Sequence, residues 1–256
     1  MSPARDLGRL RFRSAARTHA GLRRVLNEDR LLDHPGDGLW AVADGMGGHR
    51  SGDVAAARVV EALGALDASE SGFGRLNDLV RAVSEVNAEL FAQSADGPGA
   101  SPSGATVVAL LAHERHFACV WAGDSRAYLL RDGAVAPITR DHSLVQSLID
   151  DGRISAAERR RHPEAHIITR AVGAAAEIDL ERRFAPIRPG DVFLLCSDGL
   201  TACVEDEELA GFMGRADLDA AAETLLAAAL ERGAPDNVSF VLVTAEAADK
   251  VALAQN

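Results

Sequence analysis

Four acidic islands stand far apart in this chain: Asn27-Glu28-Asp29, Asp44-Gly45-Met46-Gly47-Gly48-His49, Ser197-Asp198-Gly199-Leu200 and Pro235-Asp236-Asn237. Carboxylates gathered from such places repel one another and raise each other's pKa, so a cluster of them needs cations. Sets of Asp and Glu suit Mg²⁺ or Mn²⁺, whereas a zinc site more often shows His and Cys at short spacing. If the islands converge, they point to a hard-metal centre. Arg24 precedes Glu28 by four residues. In an extended segment both side chains point inward, and the guanidinium offers its bidentate fork to an anion held over the metals. Taken alone, Arg24 reads more plainly as a surface ion pair beside Arg23. Each Asp-Gly pair, taken alone, is likewise more often a turn than a ligand, and Asp132-Gly133 is kept as a turn.

The elements that must position these residues can be read from periodicity. Residues 11–18 fit a first strand, and the apolar run 39–43 stops at Asp44-Gly45. Residues 192–196 form a buried strand ending at Ser197-Asp198, and 238–244 a last strand just after Asp236-Asn237. From Gly52, the apolar positions Val54, Ala55, Val59, Val60, Leu63 and Leu66 take helical spacing with Asp53 near the start. A second amphipathic helix is expected over 76–91, and an Ala/Leu helix over 218–232 closed by Gly233. Residues 106–112 and 117–122 pair as strands, and 128–131 with 134–138 form a hairpin across Asp132-Gly133. Residues 143–150 and 156–161 read as helices, and the stretch Arg159-Arg160-Arg161 as a solvated helix end. The composition of 94–103 is that of a loop, the tail after Ala245 is expected to fray, and no internal repeat is found.

With 256 residues, 47% of them hydrophobic, the chain can bury a large core in one domain or two small ones, and one is the reading taken. A net charge of -11 excludes general nucleic-acid binding, which calls for a basic surface. Cys119, Cys196 and Cys203 lack metal-binding spacing and leave one unpaired if two join, which suits a reducing cytosol. No apolar run reaches the length of a membrane span, and the N-terminus lacks a signal peptide's apolar core. A cytoplasmic protein is expected.

In combination, the islands and their flanks resemble the metal-dependent protein phosphatase family usually called PP2C, or PPM, in its bacterial branch. The resemblance runs from about Thr18 to Val243. It rests on Gly21-Leu22-Arg23-Arg24 leading into Asn27-Glu28-Asp29, on Ala41-Val42-Ala43-Asp44-Gly45-Met46-Gly47-Gly48-His49, and on Ser103-Gly104-Ala105-Thr106. It continues through Gly123-Asp124-Ser125-Arg126, Thr139-Arg140-Asp141-His142-Ser143, Ile168-Thr169-Arg170-Ala171-Val172-Gly173, Ser197-Asp198-Gly199-Leu200 and Asp236-Asn237. Any one of these is weak; together and in order they are specific.

The resemblance implies a four-layer sandwich of the α+β class, two mostly antiparallel sheets flanked by helices, as one domain over 1–256 with a flap at 141–178. It implies hydrolysis of phosphoserine and phosphothreonine in proteins by a metal-activated water, without a covalent intermediate. Asp44 resembles the carboxylate that bridges two Mn²⁺ or Mg²⁺ ions, and Gly45 lends its carbonyl. Asp198 and Asp236 resemble holders of the first ion, while Glu28 acts on the second partly through water. Arg24 resembles the phosphate-binding arginine, and Asp124 a ligand of the third ion seen in bacterial members. Asn237 is expected to be structural. The implied partners are phosphoproteins and a cognate Ser/Thr kinase, with type VI secretion as one setting.

Two departures stand out. Met46 replaces the histidine that eukaryotic members place two residues after the bridging aspartate, so the leaving-group proton must come from water or another residue. His49 is read as structural or exposed. Ala202 stands where many relatives have an aspartate, so the third ion is expected to bind weakly. Two other readings remain: a pseudophosphatase, which would have broken ligands, and a relative of the phosphatases that control sigma-factor antagonists.

Overall fold

The computed structural model describes residues 10–47, 51–67, 71–95 and 103–248. β1 (Leu10–His19), β11 (Val238–Ala247), β10 (Val192–Cys196), β7 (Arg126–Arg131) and β8 (Ala134–Pro137) lie side by side in that order. A second sheet orders β2 (Asp29–His34), β3 (Leu39–Gly47), β5 (Val107–His113), β6 (His116–Ala122) and β9 (Glu181–Pro186), with β4 (Ser103–Ala105) paired to the end of β3. Neighbouring strands in both sheets are antiparallel.

Side-chain alternation builds the layers. Along β3, Trp40 and Val42 face the other sheet, whereas Leu39, Ala41 and Ala43 face helices; β5 alternates in the same way. Burial on both faces explains why these strands read as unbroken apolar runs rather than alternating ones. Between the sheets, Phe117 and Phe193 meet edge to face at 5.1 Å, as do Phe12 and Trp40 at 5.4 Å. α1 (Ser51–Gly64) and α2 (Gly72–Ala95) press Val59, Leu63, Leu79 and Val83 onto the second sheet. Each such buried side chain contributes about 2 kcal/mol. On the first sheet, α5 (Leu209–Met213) and α6 (Leu218–Glu231) bury Met213, Ala221 and Leu225. The result is the expected sandwich of helices, sheet, sheet and helices.

The structure also departs from the reading in places. Val54 is exposed on α1 rather than part of its buried stripe. β2, β4 and β9 were not foreseen. Residues 156–161 form a 3-10 turn, Ala156–Arg161, instead of an α-helix, whereas α3 (Leu144–Asp150) is helical as expected. Arg159 and Arg160 are not a solvated helix end: Arg159 donates to Asp141 at 3.1 Å and to Gln146, and Arg160 to the Val204 carbonyl at 2.7 Å and to Glu205. Asp132-Gly133 is a turn, with φ of 53° and 81°, the pair of left-handed residues a tight hairpin requires. Gly48, His49, most of the loop at 94–103 and the tail beyond 248 lie outside the described residues.

Candidate active site

The acidic islands meet at one end of the sandwich, where the strands of both sheets run out. Asp29 opens β2 directly opposite Asp44 on β3. Asp198 starts the short helix α4 (Asp198–Thr201) straight after β10, and Asp236 lies two residues before β11. Asp124 occupies the turn from β6 to β7, where the chain crosses between sheets. Hydrogen bonds tie the two sides together. The Ser197 hydroxyl donates to Asp29 Oδ2 at 2.9 Å, and the Asp44 N–H donates to Thr106 Oγ1 at 3.0 Å. Thr106 Oγ1 in turn lies 2.7 Å from Ser125 Oγ beside Asp124.

The glycines after Asp44 and Asp198 do not serve as turn residues. A Cβ on Gly45 would lie 2.1 Å from the Gly52 carbonyl oxygen and 2.7 Å from that of Glu28. One on Gly199 would lie 1.8 Å from the Asn237 carbonyl oxygen. Close backbone approach, not left-handed backbone, requires glycine here, and it brings the islands into contact. Asn237 fastens them further. Its Oδ1 accepts from the Glu28 N–H at 2.8 Å, while its Nδ2 donates to the carbonyls of Ala20 and Leu26, each at 2.9 Å.

Electrostatics records the crowding. Burial pushes the Asp44 carboxyl well above its usual range, and the charges of Asp29, Asp198, Asp124 and Asp236 add to the effect. Asp124 is pushed up to about 8 by burial and then by Asp198 and Asp141. Burial and Asp236 raise Asp198, and Asp29 reaches about 6, mainly through burial, despite hydrogen bonds from Ser239 and Ser197. Asp44, Asp124 and Asp198 remain half-buried, so the cleft they line reaches solvent. Among the described residues, no three His, Cys, Asp or Glu side chains close on one point as a ready-made ligand set. Mg²⁺ keeps several waters and uses few direct carboxylates, so such spacing suits it better than it would a closed zinc site. Buried carboxylates whose pKa values are raised by burial and by one another, in an all-oxygen donor set, fit Mn²⁺ or Mg²⁺.

Arg24 lies at the rim. Its Nη2 is 2.6 Å from Asp236 Oδ2, and Glu28 and Asp198 are close enough to favour its charge. The segment reaching it is not extended as expected: residues 21–23 turn. Asp29 was noticed within an island but not counted among the site residues, although its place opposite Asp44 puts it in the cluster. Ala202 is exposed at the end of α4. The three cysteines are buried and free, and burial pushes the Cys196 thiol up, away from a nucleophile's range.

A two-sheet sandwich with an acid-lined cleft at one end is the architecture of the protein phosphatase 2C family, and residues 19–237 match that family; the chain belongs to it. It is 42% identical over 232 residues to the serine/threonine protein phosphatase PstP of Mycobacterium tuberculosis, which covers 90% of this chain. The chain spans only 44% of that relative's length. Among solved structures, PppA, a key regulatory component of T6SS in Pseudomonas aeruginosa, is 39% identical with a TM-score of 0.84, covering 92% of this chain and 98% of that one. The catalytic domain of PstP, solved in complex with two manganese ions, is 40% identical with a TM-score of 0.82, covering 93% of this chain and 99% of that one.

Proposed function

We propose that this chain is a metal-dependent phosphatase that hydrolyses phosphoserine and phosphothreonine in proteins. The observation that carries this reading is the convergence of Asp44, Asp124, Asp198 and Asp236 from both sheets on a solvent-reaching cleft with Arg24 at its rim. Asp44, Asp198 and Asp236, the Gly45 carbonyl and, partly through water, Glu28 are the groups that would hold two Mn²⁺ or Mg²⁺ ions. Asp124 would hold a weaker third, since Ala202 offers it no carboxylate. Bound there, two ions supply positive charge and activate water for in-line displacement at phosphorus. Arg24 binds the phosphoryl oxygens through its planar fork, exchanging the Asp236 carboxylate for substrate. Asn237 holds the backbone on both sides of Arg24, so the guanidinium is positioned before substrate arrives. No thiol takes part.

Residues 1–256 act as one phosphatase domain, with 141–178 as a flap beside the cleft. The protein works in the cytoplasm against a Ser/Thr kinase. The absence of any helix long and apolar enough to cross a membrane among the described residues is consistent with that location, and the likeness to PppA supports a T6SS setting. The test is hydrolysis of a phosphothreonine peptide in EDTA, Mg²⁺ or Mn²⁺, with Asp44→Ala as control. The expected result is turnover that requires metal and vanishes in the variant while circular dichroism is unchanged. Turnover in EDTA, or by Asp44→Ala, overturns the assignment, and a wild type inactive with either metal favours a pseudophosphatase.

A further inference from the structure

Three aliphatic side chains stand in water on the loop that carries Arg24: Val25 is 96% exposed, Leu22 61% and Leu26 44%. The loop is pinned. The buried Asn237 amide clamps its two ends at the carbonyls of Ala20 and Leu26. The Leu22 N–H donates to the Ala234 carbonyl at 2.9 Å. Gly21, at φ +75°, lies so close to Asp236 that a Cβ would come within 2.1 Å of its carbonyl oxygen. Aliphatic groups on such a loop cannot fold away, and each forgoes the free energy that burial would release. A cluster of this kind at the rim of a reactive cleft marks a binding surface.

Its neighbours decide what binds. Leu22, Val25 and Leu26 flank Arg24, whose guanidinium is 2.6 Å from Asp236 Oδ2. A chain that lays a phosphate on Arg24 thus meets a loop whose exposed side chains, one and two residues from Arg24, are aliphatic. An extended peptide advances about 3.3 Å per residue, so positions one to three residues from the phosphorylated one fall within reach of the loop. The chain's net charge of -11 disfavours an anionic lipid surface as the occupant.

We propose that Leu22, Val25 and Leu26 form a substrate lip that packs an aliphatic or aromatic residue flanking the phosphorylated residue, and so set the sequence preference of the enzyme. The inference rests on the phosphatase reading above. It goes beyond that reading by naming side chains that select substrate without touching the reacting atoms.

The test compares three substrates on the full chain with Mn²⁺: p-nitrophenyl phosphate, which has no flanking residues, and two phosphothreonine peptides differing only in Leu or Ser beside the phosphothreonine. The wild type should favour the Leu peptide about tenfold in kcat/KM, mainly through KM, the factor that burial of one aliphatic side chain supports. Leu22→Ser/Val25→Ser should bring the peptides within about twofold of each other and leave p-nitrophenyl phosphate turnover unchanged, which also shows that the variant is folded. Equal wild-type turnover of both peptides, or a preference that survives the double substitution, overturns the lip. A change in oligomeric mass on substitution, with peptide preference unaltered, would overturn it in favour of a contact between copies. Failure of the wild type to hydrolyse p-nitrophenyl phosphate is a different result, since it overturns the phosphatase reading itself.

Discussion

Replacing Asn237 with alanine is expected to loosen the cleft and the fold together. The residue is 5% exposed, and its side chain makes three hydrogen bonds: from the Glu28 N–H and to the carbonyls of Ala20 and Leu26. At about 1 kcal/mol net for each bond, with a further penalty for the buried groups left unpaired, the loss sums to more than 3 kcal/mol; water entering the space recovers part of it. The expected destabilisation is about 2–4 kcal/mol, measured by urea unfolding in EDTA so that metal binding does not mask it. The same change frees the loop holding Arg24, so KM for a phosphopeptide should rise about tenfold with a smaller fall in kcat. Asn237→Asp keeps the acceptor for Glu28 but loses both donors and adds a charge beside Asp236, and should be at least as damaging. A variant within about 0.5 kcal/mol of wild type and with unchanged KM would refute the clamp.

Two further outcomes are expected. In EDTA, stability should fall as pH rises, because burial raises the carboxyls of Asp44, Asp124, Asp198 and Asp29 together, and Asp29 has a folded pKa of about 6 against an ordinary 3.8. Its protonated form stabilises the fold fully below pH 3.8, and that stability is lost as pH rises through about 6, amounting to about 3 kcal/mol at 1.36 kcal/mol per pH unit. Asp29→Asn should make this slope shallower while the other buried carboxylates keep part of it, and urea melts from about pH 4 to pH 8 with the wild-type slope would contradict the assignment. Asp141 takes Arg126 in a bidentate pair at 2.8 and 2.7 Å and Arg159 at 3.1 Å, with Arg126 and Asp141 side chains only 13% and 6% exposed. Asp141→Asn should therefore cost about 3–5 kcal/mol in thermal unfolding, and a loss below about 1 kcal/mol would show that the pair is not sequestered from water.

Legibility in the sequence followed burial. β3 and β10 lie under cover on both faces, so their apolar runs stop sharply at Asp44 and Ser197-Asp198 and announce both the strand and the acidic residue at its end. β9 stayed hidden because it is a sheet edge whose Arg182, Arg183 and Phe184 face solvent, leaving no apolar run to read. β2 was masked by the charges around Leu31 and Leu32. The Asp-Gly pairs were ambiguous because one dipeptide serves two physical ends. Gly133 supplies left-handed backbone, whereas Gly45 and Gly199 make room for a neighbouring chain, and only the folded neighbour distinguishes them. Arg24 was placed at the site, but its backbone was not: the turn at 21–23 depends on Asn237 and Ala234, far away in sequence.

The pairing of β1 with β11, Leu10 opposite Ala247 and His19 opposite Val238, has a consequence for a chain still being made. Arg24, Glu28, Asp29 and Asp44 leave the ribosome early, whereas Asp236 and the strand that completes the first sheet emerge long afterwards. Closing so distant a pair is slow because the loop entropy must be overcome before the contact forms. The nascent chain therefore carries an acidic arm without a cleft. On the proposed reading, dephosphorylation would wait until β11 docks, and a chain stalled or clipped before Asp236 would lack one side of the cleft.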